Sequence, residues 1–156
     1  MIGFADGLVR CLEFQSVRPQ QLERIFAEAS EPFDMQYVAP FAEAPLIDSG
    51  ERFAHLVFVP HGTLAPWQSP CSELSAPFLI GVREFLMEAE RWVASYSAVT
   101  GAVAVQIPRT TMTQVLERLP MVRERMHPQV MRRLARFYWT SLAASGAPRS
   151  RPGSID

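Results

Sequence analysis

His61 and Cys71, a base and a nucleophile, fall within one stretch of a 156-residue chain that is otherwise poor in reactive side chains. A thiolate beside an imidazole, oriented by a carboxylate such as Asp48 or Glu73, is an arrangement for nucleophilic catalysis. Their spacing matches no known motif. The stretch 60–77 that holds them, with Pro60, Pro66, Pro70 and Pro77, also reads as a structured loop that packs Trp67 on the core. A loop of that length in a compact domain is commonly functional, which makes His61, Trp67 and Cys71 the loop candidates. His55 and His61 invite a metal, but the strand between them would hold them roughly 20 Å apart. His55 alternates with Phe53, Val57 and Val59, as a core histidine would, and His127 beside Pro128 reads as a helix cap. No catalytic residue, metal site or cofactor is assigned. Cys11 and Cys71 have neither framework nor metal spacing and read as free thiols.

All fifteen basic residues are arginine, and asparagine is absent as well. Both missing residues have A-rich codons, so a GC-rich genome explains the bias. The chemistry is still restricted: no Schiff-base or P-loop lysine is available, and no glycosylation sequon. The arginines are unevenly placed. Residues 1–100 carry six against thirteen acids, whereas residues 101–156 carry nine against three, although the net charge is only −1. Stepping about 100° per residue along a helix from Pro128 collects Val130, Met131, Leu134, Phe137, Tyr138 and Leu142 in one arc. Arg132, Arg133 and Arg136 fall outside that arc, with Trp139 at its border, and Arg149 and Arg151 follow in the tail. Arginine and tryptophan are enriched among interface anchors, so this surface reads as a docking face for a protein. A solvated face and nucleic-acid binding are the competing readings. The sequence isoelectric point near 6.3 weakens the latter.

The elements that must position these residues follow from periodicity. Residues 8–14 read as a strand and 19–29 as an amphipathic helix opened by Pro19. Short strands are expected at 35–39 and 52–59, the latter central and ended by Pro60. Phe78, Val82, Phe85, Ala89, Trp92 and Tyr96 recur at helical spacing, which predicts one long helix from Ser75 to about Val99. A strand at 102–107, a helix at 111–119 and a last helix from Pro128 to Gly146 complete the order. This β-α-β-β-α-β order predicts an α+β domain, a four-stranded ferredoxin-like sheet with two C-terminal helices. One domain would span 1–146, with a polar tail over 147–156.

Phe58 through Pro70, followed by Val82-Arg83-Glu84-Phe85, resembles the TorD-like redox-enzyme assembly chaperones, in which a proline-rich loop precedes a comparable helix. That resemblance implies an all-helical fold, whereas residues 8–59 read mainly as strands. It contributes a maturation chaperone to the alternatives. The expected function is therefore a non-catalytic accessory or adaptor subunit that binds a protein partner through the basic C-terminal helix, as part of a larger complex. The alternatives are a small enzyme or maturation chaperone using the 60–77 loop, and a nucleic-acid-binding module. No apolar run is long enough to span a membrane, and no leader is evident, so a cytoplasmic protein is expected.

Overall fold

A computed structural model describes residues 3–29, 31, 33–40, 45–67 and 73–127. Among them, two antiparallel sheets share one hydrophobic core. The first sheet holds β1 (Asp34–Val38), β7 (Ala102–Pro108), β2 (His55–His61) and β5 (Phe78–Ile80), side by side in that order. The second holds β4 (Leu74–Ser75), β3 (Thr63–Pro66) and β6 (Tyr96–Ala98). Four helices accompany them: α1 (Phe4–Leu8), α2 (Pro19–Ala27), α3 (Val82–Leu86) and α4 (Arg109–Arg118). Residues 120–127 are helical too.

The expected four-stranded ferredoxin-like sheet is thus replaced by a two-sheet, jelly-roll-like architecture, in which strands that switch sheets make the corners. The switch is made at Gly62. Its φ of +104° turns the chain from β2 into β3, and a Cβ there would lie 2.6 Å from Ala102. β2 pairs with β7 and β3 with β6, so one continuous ribbon bends from the first sheet into the second.

Pro60 does not end its strand. The β2–β7 register breaks between Phe58 and His61, so Pro60 occupies an irregularity where its missing N–H breaks no ladder bond. The 60–77 segment consequently carries β3 and β4 instead of being one long loop.

The single long helix expected over 75–99 is corrected for local reasons. Gly81 has φ +98°, and a Cβ there would come within 2.9 Å of both Phe53 and Trp92. The chain therefore turns at Gly81, and helix begins only at Val82. It ends after one and a half turns in a Schellman arrangement, with Glu88 at φ +54°. The Ala89 N–H donates to the Glu84 carbonyl at 2.8 Å and the Glu88 N–H to the Phe85 carbonyl at 3.2 Å. The 3.6-residue spacing over 78–96 arises by chance, since those apolar residues belong to β5, α3, an irregular segment and β6.

The expected strand at 8–14 is α1 plus a 3-10 turn, Leu12–Phe14. The Gly3 N–H donates to Asp6 Oδ2 at 3.1 Å, which caps α1, and Leu8 and Phe14 are fully buried. Phe4, Phe26 and Phe33 form a ring cluster that reaches Phe58 of β2, with Phe4 and Phe58 edge to face at 5.5 Å. This cluster fastens the N-terminal helices to the first sheet. The helix predicted over 19–29 and the strands over 35–39 and 102–107 are present nearly as expected.

Candidate functional site

Two Arg–aromatic dipeptides meet in front of the core. Arg52-Phe53 leads into β2, and Arg91-Trp92 lies in the irregular segment between α3 and β6. They are joined as an antiparallel pair: Arg52 bridges Arg91, the Phe53 N–H donates to the Glu90 carbonyl at 2.8 Å, and the Trp92 N–H donates to the Glu51 carbonyl at 2.8 Å. The two rings point into the core, edge to face at 4.8 Å, while both arginines stay exposed.

Arg109, the first residue of α4, closes this arrangement. Its Nη1 donates to the Phe53 carbonyl at 3.1 Å and to the Ala89 carbonyl at 2.9 Å. Its guanidinium also lies 5.0 Å from the centre of the Phe53 ring, within cation–π range. One side chain therefore ties the lead-in of β2, the exit of α3 and the start of α4. Arg91 is anchored similarly, with Nη1 donating to the Gly50 carbonyl at 2.7 Å.

Arg52, Arg91 and Arg109 line an open cleft of about 620 Å³, together with Glu31, Glu90 and Thr110. On its other side Arg109 borders a smaller cleft of about 220 Å³, shared with Phe85, Thr113 and Arg123. What the larger cleft can do chemically is hold an oxyanion, because guanidinium groups match carboxylate and phosphate oxygens in pairs.

The residues singled out from sequence are dispersed. His61 lies exposed at the end of β2, opposite Val103. Trp67 is 57% exposed and does not pack on the core as expected; its Nε1 donates to Ser97 Oγ, on the surface of β6. Cys71, Arg132, Arg133, Arg136, Trp139, Arg149 and Arg151 lie outside the described residues, as do Pro128–Gly146 and the tail over 147–156. Asp48 accepts from Ser95 Oγ at 3.0 Å, well removed in role from any triad. His55 is half-buried at the start of β2. Burial pushes its imidazole below the ordinary value, and the charges of Asp34 and Glu51 partly restore it. His127 is the last of the described helical residues 120–127, and the helix start expected at Pro128 lies outside the described residues.

Sequence reasoning missed the arginine cleft. The available signal was the Arg–aromatic dipeptide, which recurs at Arg52-Phe53, Arg91-Trp92 and Arg136-Phe137, the first two 39 residues apart.

A scan of family models and a search of curated proteins both return no match. The fold, however, is shared with solved structures. Catabolite Activator Protein of Thermus thermophilus superimposes with a TM-score of 0.62 at 18% identity, covering 81% of this chain and 60% of that one. The sensor domain of the transcriptional regulator DNR from Pseudomonas aeruginosa gives 0.62 at 15% identity, covering 83% and 88%. A cAMP-binding acyltransferase from Mycobacterium smegmatis gives 0.63 at 19% identity, covering 85% and 41%. The chain thus spans less than two thirds of the length of the first of these and under half of the third. The expected adaptor subunit is corrected on this finding: the architecture is the one that carries sensor and cyclic-nucleotide-binding domains in the neighbours, and the enzyme, chaperone and nucleic-acid alternatives fit it no better. Among the described residues no helix is long and apolar enough to cross a membrane.

Proposed function

We propose that this domain senses a small ligand and relays its occupancy to the helical segment that begins at Arg109. The observation that carries this reading is the triple attachment of Arg109, which holds the β2 lead-in, the α3 exit and the start of α4 with one guanidinium. A ligand competing for that guanidinium would loosen α4 from the sheet. A ligand completing the cleft would instead tighten it. Either way the equilibrium shifts only through contacts that differ between the two states. The likeness to a sensor domain, an activator protein and a cAMP-binding acyltransferase supports a regulatory role. Downstream, residues 120–127 lead towards the arginine-rich end of the chain, a natural place for the output.

The test is hydrogen–deuterium exchange of the full chain with and without candidate ligands, cAMP and cGMP first because the named neighbours suggest them. The expected result is altered protection over residues 109–127 in the liganded chain. A ligand that binds saturably and leaves exchange over 109–127 unchanged would argue against a sensing role.

A further inference from the structure

Arg52 and Arg91 face each other directly across the antiparallel bridge. Like charges in that position repel, and neither arginine forms an ion pair with a described carboxylate. The two carboxylates of the cleft, Glu31 and Glu90, form no ion pair with its arginines; Glu31 instead accepts a hydrogen bond from Thr110 Oγ1 at 3.2 Å. Arg52 makes no side-chain hydrogen bond to any described residue. Arg91 and Arg109 each use Nη1 on backbone carbonyls, which fixes the guanidinium and leaves its other N–H donors available. A pre-positioned donor loses less freedom on binding than a mobile one.

We propose that this cleft is a binding site for a small organic anion that presents a phosphate or carboxylate group together with a hydroxyl or amino donor. The oxyanion relieves the Arg52–Arg91 repulsion and takes the free N–H groups of the three guanidiniums. The donor group is met by Glu90, whose carboxylate has no partner among the described residues. The volume of about 620 Å³ exceeds what a bare inorganic ion needs and matches a metabolite-sized ligand, since small-molecule sites span roughly 300–1,000 Å³. Six of its eight lining residues are charged or polar, and Arg109 lies over the Phe53 ring, which favours a polar ligand over a flat apolar one. This assignment concerns binding chemistry and stands or falls separately from the relay to α4.

The experiment is calorimetric titration of the full chain at constant ionic strength with AMP, citrate and, as a neutral control, adenosine. AMP or citrate, or both, should bind saturably while adenosine does not; the pair tells a phosphate from a carboxylate headgroup. Arg52→Gln should weaken binding about tenfold or more, the usual consequence of losing one charge-assisted contact. Arg91→Gln should do the same, and Arg52→Gln alone suffices if the Arg91 variant unfolds. Circular dichroism checks that each variant keeps its fold. The proposal is overturned if neither anion binds, or if Arg52→Gln binds as tightly as the unaltered chain. Anion binding without a change in exchange over 109–127 keeps this site and removes the sensing reading. Failure of both anions removes the site, while a different ligand can still satisfy the exchange test.

Discussion

Arg109 joins three elements through one side chain. Its two hydrogen bonds involve a charged donor, each worth about 1.5–3 kcal/mol, and the ring contact adds to them. Arg109→Ala should therefore lower stability by about 3 kcal/mol in urea unfolding, and Arg109→Lys should recover only a part, because an ammonium cannot reproduce the planar fork. His55 supplies a pH signature. Its folded-state value lies below the ordinary one of about 6.5, so the unfolded chain takes up the proton first as pH falls. The stability contributed by neutral His55 is fully present above that ordinary value. It declines as pH drops from there towards the lower folded value. Melting temperature should fall more steeply below about pH 6.5 in the unaltered chain than in His55→Gln. By contrast, the Arg118–Glu28 pair lies on the surface, and although Arg118 holds the Glu28 carboxyl below its usual range, Arg118→Ala should leave the melting temperature unchanged within error.

At the scale of elements, the two sheet-to-sheet and strand-to-helix turns rest on glycines that no side chain can replace. Gly62→Ala places a Cβ 2.6 Å from Ala102 backbone and side chain, at a φ that other residues rarely adopt. The expected loss exceeds about 1 kcal/mol, because conformational and steric penalties add, and denaturant unfolding reads it directly. These turns also explain which elements were legible. α2 was visible because Pro19 and the Leu22, Ile25, Phe26 spacing are local signals, and β7 because Ala102–Ile107 is a short apolar run interrupted only by Gln106. The 75–99 region misled because a helical spacing was assembled from residues of several elements. Gly81, in the middle of that pattern, was the local sign against it, since a glycine there already costs a helix about 1 kcal/mol.

For the whole molecule, the core is one cluster in which Phe53 and Trp92 join the site to both sheets. Trp92→Ala should cost about 3–5 kcal/mol by leaving a cavity, and should also spoil the cleft, since the Arg52–Arg91 bridge depends on the pairing beside it. Unfolding followed by circular dichroism measures the first effect, and anion titration of the surviving folded fraction measures the second. By itself the sequence determined residue chemistry and short-range form: an all-arginine cation set, the exclusion of lysine mechanisms, a helix at α2 opened by Pro19 and strands at β1, β2 and β7. Those depend on side-chain type and on neighbours within a few residues. Only the tertiary structure decided that two sheets share the core and that Arg52, Arg91 and Arg109 converge. The backbone pairing that brings them together links positions tens of residues apart, and its register depends on where Gly62 and Gly81 turn the chain, which no local pattern encodes.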